Sequence, residues 1–384
     1  MDNWQVQINE RLPIYIFTAV ISFGAGCFLA VILSGSLTIK QADMAVTSET
    51  TEFSYFLFCG VPLACTLAFM ALSIKIGRNA GNTENVFRAI YEAASENSSN
   101  FVLHQFREII VAIAEVSVIE ALAIKYLYKK KITICLIVPF ACFALCTLFS
   151  TDRNIFLRFI IFSLCLWVFF KTATSSMSLH ATNMQIVKRT LLIFLAAVGC
   201  FYLLGKAKSY TSNLERMIGI YGGSGLYNFN LTLDQLENVD LQYGKETFSQ
   251  LIKTLNVFGI NLGDGASNEV LHEMIVFTAP NGYVYASNIY SAMGPYVVDF
   301  GYAGVIIFPF IMGLFFEFLF ICAMRLGSLY LWGLYSMLIY PVVYFPIAEQ
   351  FYMRLHLGLA YEIFWFSIIY YFSFGKKRIH FTMG

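Results

Sequence analysis

Apolar runs about twenty residues long recur along this chain, and no other feature constrains it as much. A helix crossing a bilayer needs about 20 consecutive apolar residues, so that every main-chain polar group finds its partner inside the segment. Eight such runs are legible: Leu12–Ser34, Phe53–Ile76, Ile132–Ser150, Ile155–Lys171, Thr190–Gly205, Val298–Ala323, Leu329–Ala348 and Leu355–Phe374. Of 384 residues 58% are hydrophobic and 13% charged, where a soluble domain carries about 25% charged residues. Too little charge remains to cover a water-facing surface. This excludes an ordinary cytosolic enzyme, a disordered chain and a disulfide scaffold, and makes the lipid bilayer the first partner. The net charge of +1, with no Lys/Arg run interleaved with aromatics, argues for no nucleic acid. The first run is too long for a signal-peptide core and follows Asp2 and Glu10 rather than a basic stretch, so it reads as an anchor. The nine cysteines all lie in apolar runs without a CxxC pair, so they read as small buried hydrophobes rather than zinc or redox ligands.

A ninth segment, Ile109–Tyr128, is apolar overall yet carries Glu115, Glu120 and Lys125. Mid-membrane charges cost about 2.5–3.5 kcal/mol each. The segment spans if its charged face turns inward, Glu108 and Glu115 sharing one face, and it lies along the interface otherwise. Lys129-Lys130-Lys131, Lys188-Arg189, Arg325 and Lys376-Lys377-Arg378 mark cytoplasmic helix ends. They put the C-terminus inside, and Thr151–Asn154, Lys206–Val297 and Glu349–Arg354 outside. With nine spans the N-terminus is outside; with eight it is inside. The expected fold is thus all-α and polytopic, with about nine transmembrane helices (eight as the alternative) and one large extracytoplasmic loop of short helices. The expected divisions are an N-terminal bundle over 1–205, the loop over 206–297 and C-terminal spans over 298–384.

Within that loop, Lys245–Ile260 predicts an amphipathic helix with Phe248, Leu251, Ile252, Leu255 and Phe258 on one face. Ser267–Phe277 predicts a second short helix, with Ser267 as its N-cap. Gly222-Gly223-Ser224-Gly225 lacks phosphate-loop spacing and reads as a turn or a close approach to a polar ligand. Glu269, His272 and Glu273 cluster on the second helix as a solvated face, a site with a catalytic base, or a metal site. Arg153, Arg216 and Arg354 lie at outer-face positions, where the insertion bias disfavours cations. A guanidinium binds phosphate oxygens bidentately and keeps its charge. Three around one cavity would suit a pyrophosphate, and each alone would serve as a headgroup anchor or salt-bridge partner.

The stretch from Asn281 to Gly304 runs into an apolar span, and its Asn288, Tyr290, Ser291, Asp299, Phe300, Gly301 and Gly304 form Asn-x-Tyr-Ser followed by Asp-Phe-Gly-x-x-Gly. It resembles the signature of Wzy-type oligosaccharide repeat-unit polymerases. Lys129–Lys131 followed by Ser150-x-x-Arg153, then Arg216 with Tyr221-Gly-Gly223 and Asn228, resemble that family's upstream pattern, and Glu84–Arg88 does so more weakly.

The resemblance implies a membrane glycosyltransferase joining undecaprenyl-pyrophosphate-linked donor and acceptor oligosaccharides on the periplasmic face of the inner membrane. Undecaprenyl pyrophosphate leaves, and neither cofactor nor metal is needed. A chain-length regulator and a flippase would be its partners. Asp299 and His272 become candidate bases, Asp299 being alternatively a helix N-terminal cap. Arg153, Arg216 and Arg354, with Arg88, become candidate pyrophosphate or substrate ligands, and Asn288, Tyr290, Tyr227 and Asn228 candidate sugar contacts. The tyrosines read equally as an interfacial belt. A ligase-like glycosyltransferase, a lipid-linked oligosaccharide flippase and a structural membrane subunit are the alternative readings.

Overall fold

The structure is a computed structural model. It describes residues 8–35, 56–79, 101–127, 129, 131, 134–150, 153–173, 214–263, 265, 269–278 and 284–374, with isolated positions between 184 and 199. The expected span Thr190–Gly205 and the residue Arg88 lie outside this set, apart from those isolated positions. The chain forms two compact units that alternate along the sequence. The first comprises Met1–Leu37, Asn213–Ile321 and Ile339–Leu359, and the second Thr38–Ser212, Cys322–Leu338 and Ala360–Gly384.

The first unit is organised by two long helices, α1 (Leu12–Ser34) and α9 (Met293–Leu326). α9 is two helices in line. Gly301 breaks it at φ 61°, ψ −151°, a conformation essentially reserved for glycine. Beyond the break α9 runs parallel to α1, with contacts that advance together along both. Thr18 and Tyr302 share a hydroxyl–hydroxyl hydrogen bond of 2.5 Å, and the Tyr15 and Tyr302 rings meet edge-on at 5.1 Å. Further along, a Cβ on Gly26 would collide with the Phe310 carbonyl, and one on Gly313 with that of Phe23. Reciprocal glycines thus bring the two backbones into contact, the packing that membrane helices use where lipid removes the hydrophobic drive.

Ahead of α1, the N-terminal stretch docks on α6 (Leu214–Glu237). The Asn9 backbone N–H donates to Asn230 Oδ1, Arg11 pairs with Glu237, and the Tyr15 hydroxyl donates to Glu237. The Gly222–Gly225 stretch, expected to turn, is helical and lies inside α6. Gly225 is needed for contact: a Cβ there would strike the carbonyls of Pro346 and Ile347.

The remaining elements of this unit differ from the periodicity reading in three places. The expected helix Lys245–Ile260 shortens to α7 (Ser249–Val257). Gly244 at φ 95° and Gly259 at φ 84° take left-handed backbone on either side of it. The expected Ser267–Phe277 helix is a single turn, α8 (Glu269–His272). The β-branched and aromatic run after it pairs instead as β1 (Ile275–Thr278) with antiparallel β2 (Val284–Ser287), Val276 opposite Ala286. The unit's core stacks Tyr296 on Phe308 at 4.9 Å, with the Phe248 and Tyr352 rings edge-on to it.

The second unit surrounds one helix. α2 (Val61–Asn79), α4 (Ile137–Ser150) and α5 (Arg153–Ala173) pack on α3 (Phe101–Tyr126), with α10 (Leu329–Leu338) against α3 and α5. Along α3, Ile110, Ile113, Val116 and Ile119 are buried, and so are Glu108, Glu115 and Glu120. Arg107 pairs with Glu108 at 2.9 Å, and Arg158 on α5 pairs with Glu362 on α12 (Leu357–Phe374) at 2.6 Å. A cavity lined by Glu108, Glu115 and Arg158 gathers charge of both signs inside the unit. The acids of α3 therefore face protein, as a span would require. The apolar run Leu329–Ala348 is broken, α10 ending before Ile339 and α11 (Tyr340–Tyr344) restarting with Pro341 in its first turn.

Among the described residues five helices are long and apolar enough to cross a membrane: Leu12–Ser34, Phe56–Ile76, Asn154–Thr172, Met293–Leu326 and Leu357–Phe374. The protein is an all-α, multi-pass membrane protein with one small hairpin. Gly26→Ala should cost at least about 1–3 kcal/mol, as overpacking does, and lower the melting temperature in detergent. Gly24→Ala, where nothing lies within 4 Å of the added carbon, should not lower it.

Candidate functional site

The signature residues lie at the break in α9, and each has a mechanical role. Gly301 interrupts the helix, which leaves carbonyls of the preceding turn without helical donors. Two are taken up from a distant strand of chain: Gln242 N–H donates to the Val298 carbonyl and Tyr243 N–H to that of Asp299, both at 3.1 Å. Gly304 lets the second helical piece close on the first, since a Cβ there would meet the Tyr296 carbonyl. The Asp299 side chain is fully buried. It accepts from the backbone N–H of Glu246 at 3.1 Å and of Thr247 at 2.6 Å. The expectation that Asp299 caps the membrane helix it opens is corrected here. It lies on the near side of the break and caps the turn leading into α7, contributed from over fifty residues away.

That clasp fixes Glu246, which the sequence reading did not single out. Its carboxylate is 1% exposed and lies 3.3 Å from His272 Nε2, whose side chain is 54% exposed. A buried carboxylate thus orients an accessible imidazole at the end of α8. With Nε2 donating to Glu246, Nδ1 carries the lone pair that can take a proton. Of the two acids in the expected cluster, Glu273 is exposed and the side chain of Glu269 lies outside the described set. Among the described residues no group of three His, Cys, Asp or Glu side chains could hold a metal ion.

The sugar-contact candidates divide. Asn288 is exposed, whereas Asn228 is fully buried on α6. The Asn228 amide donates to the carbonyls of Ser287 and Ile289, fastening the end of β2 to α6. Its Oδ1 and the Ser291 hydroxyl are each buried without a protein partner among the described residues, the kind of group that a buried water satisfies. The Tyr290 hydroxyl donates to the Val270 carbonyl at 2.8 Å, tying the Asn-x-Tyr-Ser element to α8. Burial, with Glu273 nearby, pushes its pKa up to about 12, so it stays a donor throughout the physiological range. Tyr227 is half-buried, and burial raises its pKa as well.

The arginines are placed unequally. Arg354 is buried in the Glu349–Arg354 connection, its guanidinium 4.8 Å from the centre of the Tyr340 ring. Glu349 folds that connection, accepting from the N–H groups of Phe351, Tyr352 and Met353 and from the Tyr296 hydroxyl. Burial raises the Glu349 pKa against those donors. Arg216 lies in the first turn of α6 and Arg153 at the start of α5, in the other unit, and the side chains of both are outside the described set. Of the three arginines, then, only Arg354 has a described side-chain environment.

No family model matches the sequence, and neither a curated protein nor a solved structure is similar to it.

Asp299→Ala orphans two buried N–H groups and should cost at least about 2 kcal/mol. Asp299→Asn retains one acceptor and should cost less. The order of melting temperatures in detergent checks this, wild type above Asn above Ala.

Proposed function

We propose that this protein is a membrane glycosyltransferase that polymerises lipid-pyrophosphate-linked oligosaccharide repeat units on the outer face of a bacterial inner membrane. The observation carrying this reading is the connection between two candidates far apart in sequence. Asp299 of the Asp-Phe-Gly-x-x-Gly element grips the backbone of Glu246, and Glu246 orients His272. A base held by a buried acid and still open to solvent is what activation of an acceptor sugar hydroxyl asks for.

In this reaction the acceptor oxygen attacks the anomeric carbon of the donor. A glycosidic C–O bond forms, the C–O bond to the pyrophosphate breaks, and the hydroxyl proton passes to His272 Nδ1. The leaving group departs as undecaprenyl pyrophosphate, whose growing negative charge needs fixed cations. Arg354 and Arg216, in the unit that holds His272, are the proposed sources. Exposed Asn288 is the proposed sugar contact, while Asn228 and Tyr290 shape the platform beneath it.

The same reading puts α3 across the membrane and the N-terminus outside. Asn9 and Arg11 contact α6, and α1 runs parallel to α9, so residue 9 and residues 230–237 share a membrane face. We propose an even number of crossings between them. Counting the apolar sequence run Thr190–Gly205, which lies outside the described residues, as one crossing, α1, α2, α3, α4 and α5 bring the proposed total to six. The inward-facing acids of α3 support the same assignment. With α9, α10–α11 and α12 the count is nine, and the C-terminus is cytoplasmic.

Three experiments test these statements. In cells lacking the protein, the surface polysaccharide should collapse to a single capped unit on a gel. Finished polymer left on its lipid carrier would indicate a ligase, and units trapped inside a flippase. His272→Ala at normal protein level should reduce polymer about 100-fold or more, with a smaller loss for Glu246→Gln. Wild-type polymer from His272→Ala would remove its role as base. For topology, alkaline phosphatase fused within residues 80–100 should be active and fused after Lys131 inactive. Inactivity at both positions would return the chain to eight spans.

A further inference from the structure

The Leu241–Gly263 segment of the first unit carries a surface that neither the clasp nor the His272–Glu246 pair uses. Periodicity put Phe258 on the buried face of a helix, but α7 stops at Val257. Val257 is 76% exposed and Phe258 66%, followed by exposed Ile260 and Leu262. The loop is built to hold them out. Asn256 Nδ2 donates to the Gly263 carbonyl while its Oδ1 accepts from Leu262 N–H, closing the loop on itself. Gly259 and Gly263 take positive φ, and Ile260 N–H returns to the Leu255 carbonyl.

Two observations identify what covers this tip. The first is its level. Phe248, just before α7, packs on Phe308, which lies about 10 Å along α9 from the Gly301 break and inside an apolar span. Exposed Tyr243 and Tyr302 flank the break, as aromatic residues do at a headgroup boundary. The base of α7 therefore starts at bilayer depth. The second is charge. Lys206–Val297 as a whole has eight acids against five Lys/Arg. Leading into the tip, Lys245 and Lys253 are exposed and Glu246 is buried, while Asp240 and Asp264 adjoin the two ends of the segment. An apolar tip led into by two exposed lysines matches the boundary between acyl chains and lipid phosphates.

We propose that Val257–Leu262 is a monotopic anchor. It is seated in the leaflet from which α9 enters the membrane, with Lys245 and Lys253 on lipid phosphates. The anchor stands independently of the glycosyltransferase reading. It would hold α7, and through the clasp Glu246 and His272, at a fixed height over the membrane.

The test uses the full chain in nanodiscs of mixed zwitterionic and anionic phospholipid. The photoreactive Phe258→benzoylphenylalanine and Val257→benzoylphenylalanine variants should give adducts of phospholipid mass, severalfold more than the same residue placed at exposed Asn238. A cross-linked dimer would assign the tip to a second copy of this chain. Adducts confined to the protein itself, or no adduct above the Asn238 control, would overturn the anchor.

Discussion

The grip of Asp299 on two backbone N–H groups is the interaction from which the rest of the first unit follows. A helix break at Gly301 inside a membrane protein is costly, because it strips carbonyls of their donors where water is scarce. Here the cost is offset by another part of the chain. Gln242 and Tyr243 fill the vacated carbonyls while the Asp299 carboxylate fills the vacant donors of the next turn. The break and the Gln242–Thr247 stretch each complete the other's hydrogen bonding. The exchange fixes where α7 begins, which way Glu246 faces and hence how His272 is held.

The second unit solves a different problem with related means. Its central helix carries acids that hydrocarbon would reject. They are turned inward: Arg107 of the same helix meets Glu108, and the lining of one cavity combines Glu108 and Glu115 with Arg158 of α5. Around them aromatic contacts are dense, such as Phe169 stacked on Trp332 at 3.8 Å. The small residue Gly333 lets α10 approach Phe366 and Ile119 closely. Charge scarcity in the sequence thus coexists with charge concentration inside this unit.

What the sequence made legible follows the range of each force. Leu12–Ser34 was read with the bounds the helix has, because length and apolarity are local properties that lipid enforces. The Asp-Phe-Gly-x-x-Gly element was legible as a pattern, but its mechanics were not, since the partners of Asp299 lie at Glu246 and Thr247. Periodicity overextended α7, because no local term announces that a distant carboxylate will claim the two N–H groups before it. It absorbed Ile275–Thr278 into a helix, although a β-branched and aromatic run was the available signal for a strand. Glu246 had no signal at all, being one acid in an amphipathic stretch, and its role exists only through tertiary contact.

The pairing of α1 with α9 has a consequence in time. α1 leaves the ribosome well before α9, yet the residues that Gly26 is shaped to meet are at Phe310 and Leu314, about 290 residues later. At about 5–20 residues per second, that is roughly 15–60 s of synthesis. Throughout it α1 is without the partner backbone that its Gly26 is shaped to meet. The helix has the apolarity to wait in the bilayer. Assembly of the first unit is therefore gated by the arrival of α9, and a nascent chain halted before Gly313 holds an anchor with nothing to anchor.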